Sequence, residues 1–241
     1  MFLIVWVVRR LVVIAVLLVI VLVVGDLVAG KLVGSAVRSA IAARFGGSPQ
    51  VSFGSTPLLW QLVHGDLDHV TVREGDASIA GLPPTSLVAN FDDVRVTSLI
   101  GLHGVVGSVA LEAILGPAAV RDLLATSACV GGLPDGVGAA LTSDPRIVIP
   151  GGHVSLFPPH GRAVELRLAP VVGDRALAFR LIGFAQDGQS ASSATVDALA
   201  AQADCSRSLA GLPYNLALAT ASAVPGDVEL SFRGRGGQFQ E

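Results

Sequence analysis

Period-two alternation sets the architectures open to this chain. Val70 and Val72 alternate with His69, Thr71 and Arg73, and Val164, Leu166 and Leu168 alternate with Glu165 and Arg167. Val228, Leu230 and Phe232 do the same against Glu229, Ser231 and Arg233, and Leu216 and Leu218 share one parity. This is the pattern of strands with one face buried and one wet. Gly151-Gly152, between Arg146–Pro150 and His153–Phe157, and Pro225-Gly226 read as hairpin turns, so the strands they join are antiparallel. Two segments complicate the pattern. Leu87, Ala89 and Phe91 hold one parity and Val94 and Val96 the other, and the switch at Asp92-Asp93 predicts a β-bulge. Leu177, Phe179 and Leu181 face one way, while Ala178, Ile182 and Phe184 make the other face apolar too.

Helical spacing is confined to a few stretches. Asp26 to Phe45 places Val33, Val37, Ala40, Ile41 and Phe45 on one stripe and stops at Gly46-Gly47. Pro117 opens a helix with Val120, Leu123 and Leu124 on one side, and Thr195 to Ala203 carries Val196, Leu199 and Ala200. Cys129 follows the first of these and Cys205 the second, and each is followed by Gly-Leu-Pro, a faint internal repeat.

Leu11 to Val24 is an unbroken apolar run, about 21 Å long as a helix. Phe2 to Val8 extends it to a membrane span, with Arg9 and Arg10 snorkelling to the cytoplasmic side. Residues 1–25 thus read as an N-terminal transmembrane signal-anchor, and 26–241 as the domain it holds. A cleaved signal peptide ending at Val28-Ala29-Gly30 fits the same run, and would release a secreted protein. The absence of a polar spacer before the next helix favours the anchor. The positive-inside rule then puts everything after Asp26 outside the cytoplasm.

Charged residues make up 15% of the chain and the mean hydropathy is +0.66. Both depart from the usual globular balance of about 25% charged. The net charge of −3 argues against nucleic acid and against docking to anionic headgroups by charge alone. Phosphate-cradling glycine loops, Gly-x-Ser-x-Gly elbows and paired Cys-x-x-Cys ligands are absent from the sequence, so no enzyme, cofactor or metal site is expected. His64, Asp66, Asp68 and His69 are close in sequence, but a turn and a strand edge send them in different directions. Cys129 and Cys205 are the only cysteines. In an oxidising compartment they would form a disulfide worth about 4.5 kcal/mol in the chain-entropy model, two buried thiols being the alternative.

Val51 to Val72 combines these signals. Val51 and Phe53 form a short strand, and Thr56 can cap a helix that Pro57 begins. Leu58, Leu59, Leu62 and Val63 form its stripe, with Trp60 and Gln61 on the flank, and Gly65 ends it. Pro57-Leu58-Leu59-Trp60-Gln61-Leu62, followed by Gly65-Asp66-Leu67-Asp68-His69-Val70-Thr71-Val72, resembles the LmeA-type phospholipid-binding proteins of the actinobacterial cell envelope. Gly211-Leu212-Pro213-Tyr214-Asn215-Leu216 carries a second part of the likeness. The resemblance implies a tubular lipid-binding domain outside the cytoplasmic membrane, and it brings no catalytic residues. It also implies a link to lipoglycan assembly, and so an envelope glycosyltransferase as a partner.

The reading is an α+β domain in which a long, curved antiparallel sheet wraps around helices and encloses an apolar tunnel or groove for phospholipid acyl chains. The candidate lining is Leu58, Leu59, Trp60, Leu62, Val63, Val70, Val72, Phe91, Leu156, Leu177, Phe179, Leu216 and Leu218. The alternative is a non-catalytic scaffold, or an accessory of that glycosyltransferase, without a lipid cavity.

Overall fold

The computed structural model describes residues 48–77, 82, 85–98, 103–126, 145–158, 163–201 and 205–239, with Lys31, Gly34 and Ser35. Those three are helical. The anchor segment, the rest of the helix expected over 26–45, and the Cys129 and Gly132-Leu133-Pro134 portion of the internal repeat lie outside the described residues.

In chain order the elements are β1 (Gln50–Phe53), α1 (Leu58–His64), β2 (Asp66–Ala77), β3 (Thr85–Ser98), β4 (His103–Leu115) and α2 (Pro117–Thr126). There follow β5 (Arg146–Val148), β6 (Val154–Phe157), β7 (Val164–Gly173), β8 (Ala176–Gln186), β9 (Gln189–Ser190) and α3 (Ser193–Ala200). The chain closes with β10 (Ser206–Ser208), a 3-10 turn (Pro213–Asn215), β11 (Ala217–Val224) and β12 (Asp227–Phe239). The expected single sheet is two. One runs β1-β2-β3-β4-β12-β11, the other β10-β8-β7-β6-β5 with β9 beside β8, and every pairing is antiparallel.

The alternation read from the sequence fills one core shared by both sheets. Val72, Leu87, Ala89, Leu111, Leu230 and Phe232 from the first sheet are buried in it with Val154, Leu166, Leu177 and Phe179 from the second. Each such Val, Leu or Phe contributes roughly 1.5–3 kcal/mol by leaving water. The sheets are joined where β11 packs on β7. There the Gly152 N–H donates to Ala223 O at 2.7 Å and the Gly226 N–H to Ile149 O at 2.8 Å, tying the β5–β6 turn to the β11–β12 hairpin. Helices sit against strands, α1 on β2, α2 by β4 and β5, α3 on β8. None of the described helices is long and apolar enough to cross a membrane.

Two local expectations change. The parity switch at Asp92-Asp93 occurs, but it is not a bulge. Register runs unshifted from Phe91 to Val94 against both β2 and β4. Asp93 instead takes φ 53°, a left-handed turn of the backbone that swaps faces without inserting a residue. Gly107 lies across from it, and a Cβ there would stand 2.6 Å from the Asp93 Cβ, so only glycine fits. Helix α1 also begins one residue later than expected, with Pro57 at the cap position. The Thr56 hydroxyl donates to Asp68 Oδ2 at 3.2 Å instead of capping the helix. Gly65 ends α1 in the left-handed region, as its position implies.

Candidate functional site

The inner face of the first sheet holds a small apolar recess of about 20 Å³. Its floor comes from three neighbouring strands: Val72 and Glu74 of β2, Leu87, Ala89 and Phe91 of β3, and Val109 and Leu111 of β4. Tyr214 and Leu216 complete it. The cross-strand register explains the grouping. Val72 pairs with Ala89 and Ala89 with Leu111, while Phe91 pairs with Val109. Ala89 is the short side chain in a row of larger ones and leaves the room.

The cover is a strained piece of backbone. Tyr214 and Asn215 have φ 55° and 52°, successive non-glycine residues in the left-handed region, and Gly211 before them has φ 82°. That conformation costs on the order of 1–2 kcal/mol per residue. It is held by contacts: the Tyr214 ring meets Phe91 edge-on at 5.9 Å, and the Leu216 N–H donates to Pro213 O at 3.1 Å. Gly234 and Gly237 of β12 make the space, since a Cβ at either would lie 2.5 Å from Tyr214 O or 2.8 Å from Tyr214 Cδ1.

Of the thirteen residues proposed from sequence, Val72, Phe91 and Leu216 meet at this recess. Val70 and Leu218 are buried in the same sheet away from it. Leu156, Leu177 and Phe179 are buried in the second sheet. On α1, Leu58 is buried and Leu59 and Leu62 are half-buried, while Trp60 and Val63 are 64% and 80% exposed. The expected stripe is thus rotated. The helix rests on Leu58 and Gln61, because the Gln61 amide clasps the chain on both sides. Its Nε2 donates to Thr56 O at 2.7 Å, and its Oε1 accepts from Asp68 N at 3.0 Å. Tyr214 and Leu216 occupy the space above the floor of this recess.

Glu74, Leu87, Ala89, Val109, Leu111 and Tyr214 were not foreseen as site residues. For Glu74 a signal existed: it continues the buried parity of Val70 and Val72, an odd place for a carboxylate.

The opposite face of β2 and β3 carries a polar chain. His69 Nδ1 lies 2.6 Å from Asp92 Oδ1, and its Nε2 lies 2.9 Å from Thr71 Oγ1. Acid, imidazole and hydroxyl follow one another as in a nucleophilic relay. Here, however, the Thr71 hydroxyl donates to Asn90 Oδ1 at 3.0 Å, so its proton is not offered to the imidazole. The recess lies on the other side of these strands. The neighbouring acids and His64 have partners of their own: Asp66 pairs with Arg95 at 3.2 Å, Asp68 with Thr56, and His64 Nδ1 lies 2.8 Å from Trp60 O.

Cys205 is buried and disulfide-bonded, at the start of β10, where its carbonyl accepts from Phe179 N at 2.9 Å. In the second sheet Glu165 is held below the usual carboxylate range. The Arg167 guanidinium is the main cause, burial opposes it, and the Ser155 hydroxyl adds to it.

Comparison with known proteins gives one family. The model described as LmeA-like phospholipid-binding matches residues 24–233. No curated protein and no solved structure matches the chain.

Proposed function

Since the chain belongs to the LmeA-like phospholipid-binding family, we propose that it binds phospholipid acyl chains on the inner face of its first sheet, beneath the Tyr214–Leu216 cover. The observation that carries this is the family match over most of the chain, and the apolar recess over β2, β3 and β4 supports it. The recess as it stands has room for about one water, so acyl chains enter by lifting the cover. Its two left-handed residues store strain that lifting would release, which lowers the cost of opening.

The energetics of release explain an anchor. Two acyl chains with about 30 CH₂ groups cost on the order of 24 kcal/mol to expose to water, at about 0.8 per group. Loading and unloading therefore take place against a bilayer. The apolar run before residue 25 would hold the domain there, on the extracytoplasmic side, as a single-pass membrane protein. That compartment also oxidises thiols, and Cys129 is the only other cysteine available to Cys205. Carriage of lipid within the envelope, in support of lipoglycan assembly, is the role that fits. The test is organic extraction of the full chain purified from membranes, followed by mass spectrometry. About one phospholipid per chain is expected, and its absence would sink the proposal.

One observation favours a second reading, a scaffold for an envelope glycosyltransferase. Trp60 and Val63 stand exposed on α1, a helix that carries no Asp, Glu, Lys or Arg. Exposed aromatics are frequent at interfaces. Trp60→Ser with Val63→Ser would abolish partner capture in the scaffold reading and leave extracted lipid unchanged.

A further inference from the structure

Glu74 is the only carboxylate in the wall of the recess. The register slips between Glu74 and Ala77, so the ladder with β3 is irregular just past it. One carboxylate oxygen is satisfied there: Oε1 accepts the amide hydrogens of Gly75 at 3.0 Å and Asp76 at 3.3 Å. The other, Oε2, is buried without a hydrogen-bond partner. An oxygen of this kind is costly to keep, because it has left water and gained nothing in exchange. An apolar residue of similar size would avoid the cost, so a partner that arrives from outside is the natural reason for it.

Water is a poor candidate. The recess could take one molecule, but buried waters typically make about three hydrogen bonds. The walls present only carbon, so a water there would find no acceptor, and Oε2 becomes reachable only when the Tyr214–Leu216 cover lifts. A ligand whose donor is joined covalently to an apolar body meets both demands at once. Resting on the phospholipid reading above, the geometry points to Glu74 as the recognition group for a hydrogen-bond donor at the lipid's polar end, an ammonium N–H or a hydroxyl. The donor bonds to Oε2, while the apolar remainder lies against Val72, Ala89 and Phe91. A quaternary ammonium, which has no N–H, is discriminated against.

The test is competition. The full chain is incubated with vesicles of phosphatidylethanolamine and phosphatidylcholine in equal amounts with identical acyl chains. It is then recapsured by affinity and its lipid quantified by mass spectrometry. The two lipids have the same net charge and differ in N–H donors, so the wild-type chain should enrich the ethanolamine lipid about tenfold, as a charge-assisted hydrogen bond warrants. Glu74→Gln keeps an acceptor for Gly75 and Asp76 but puts an amide donor in place of Oε2. It should bring the ratio to within about twofold of unity. Glu74→Leu should do the same, and serves if the amide variant misfolds. A third arm with phosphatidylglycerol separates the sources: its preferential capture assigns a hydroxyl, that of the ethanolamine lipid an ammonium. Lipid bound without preference by the wild type, or with the same preference in both variants, overturns this inference and leaves phospholipid binding standing. No lipid on the wild type overturns both.

Discussion

Within the second sheet Val154 and Leu177 have no exposed surface and Phe179 has 3%. The polar side chains beside them are bonded: Ser155 donates to Glu165 at 2.9 Å, and Arg167 meets the same carboxylate with two nitrogens. Over β2, β3 and β4 of the first sheet the same alternation ends differently. A short Ala89 leaves a void, Glu74 keeps an oxygen without a partner, and a strained Tyr214–Asn215 turn serves as cover. Both regions bury Val and Leu at every second residue. The difference lies in completion, and it teaches that a core left unfinished at one place, with strain stored above it, is where a ligand has something to contribute.

The comparison breaks most sharply at the disulfide. If Cys129 and Cys205 are paired, the bridge fastens the second sheet at β10. Cys205→Ser should then cost up to about 4.5 kcal/mol in urea unfolding, mainly by freeing the unfolded chain. Lipid recovery from protein that remains folded should persist, since the recess lies in the other sheet. Unchanged stability would remove the pairing.

Next in size are matched truncations. Leu177 is fully buried in a filled region, so Leu177→Ala should cost about 4 kcal/mol, in the upper part of the range for such changes. Leu216→Ala, at a void with a displaceable neighbour, should cost about 2 kcal/mol or less, because the site can collapse. Equal costs from urea midpoints would show that the two regions are packed alike.

A smaller effect separates cover from floor. A Cβ at Gly234 would stand 2.5 Å from Tyr214 O, with Leu216 carbons at 3.3 Å and beyond. Gly234→Ala should push the turn outward and cost about 1–3 kcal/mol, as overpacking does. In the phospholipid reading it should also speed lipid uptake from vesicles, followed by transfer of a fluorescent phospholipid. Loss of stability without faster uptake would leave Tyr214–Leu216 as part of the core only.

Most of the strands were legible because period two is a direct imprint of one buried face, and β7, β8, β11 and β12 follow it. Helices α2 and α3 were legible from Val120, Leu123 and Leu124 and from Val196 and Leu199, which are buried as their spacing requires. The site was mostly not legible. Alternation says which residues leave water but not which sheet they enter, and so Leu177 and Phe179 were grouped with Val72 although they belong to the second sheet. Nor does it reveal register, and register alone sets Ala89 between Val72 and Leu111. At α1 the stripe of leucines was outweighed by the Gln61 clasp, a polar anchor that hydrophobic periodicity counts as solvent-facing. The covering turn depends on left-handed backbone at Tyr214 and Asn215, a conformation that tyrosine gives no local reason to expect.

The smallest prediction tests the claim that the second sheet's polar groups are complete. Glu165 has a folded value below its ordinary 4.5, first because Arg167 bonds to it. A lowered value means that the fold favours the charged carboxylate, so the pair's contribution is present above about pH 4.5 and is lost as the pH falls through the folded value. The side chains of Arg167 and Glu165 are 44% and 23% exposed. Solvent screens such a pair, and its worth is under about 1 kcal/mol. Glu165→Gln should therefore be slightly less stable than the wild type near neutrality, and the gap should close as urea midpoints are taken down through the acid range. A gap that stayed constant below the ordinary carboxylate value would mean that Glu165 acts through packing and its bond to Ser155. The contrast between the two sheets would then rest on shape alone, with Glu74 differing from Glu165 in its surroundings but not in the use made of its charge.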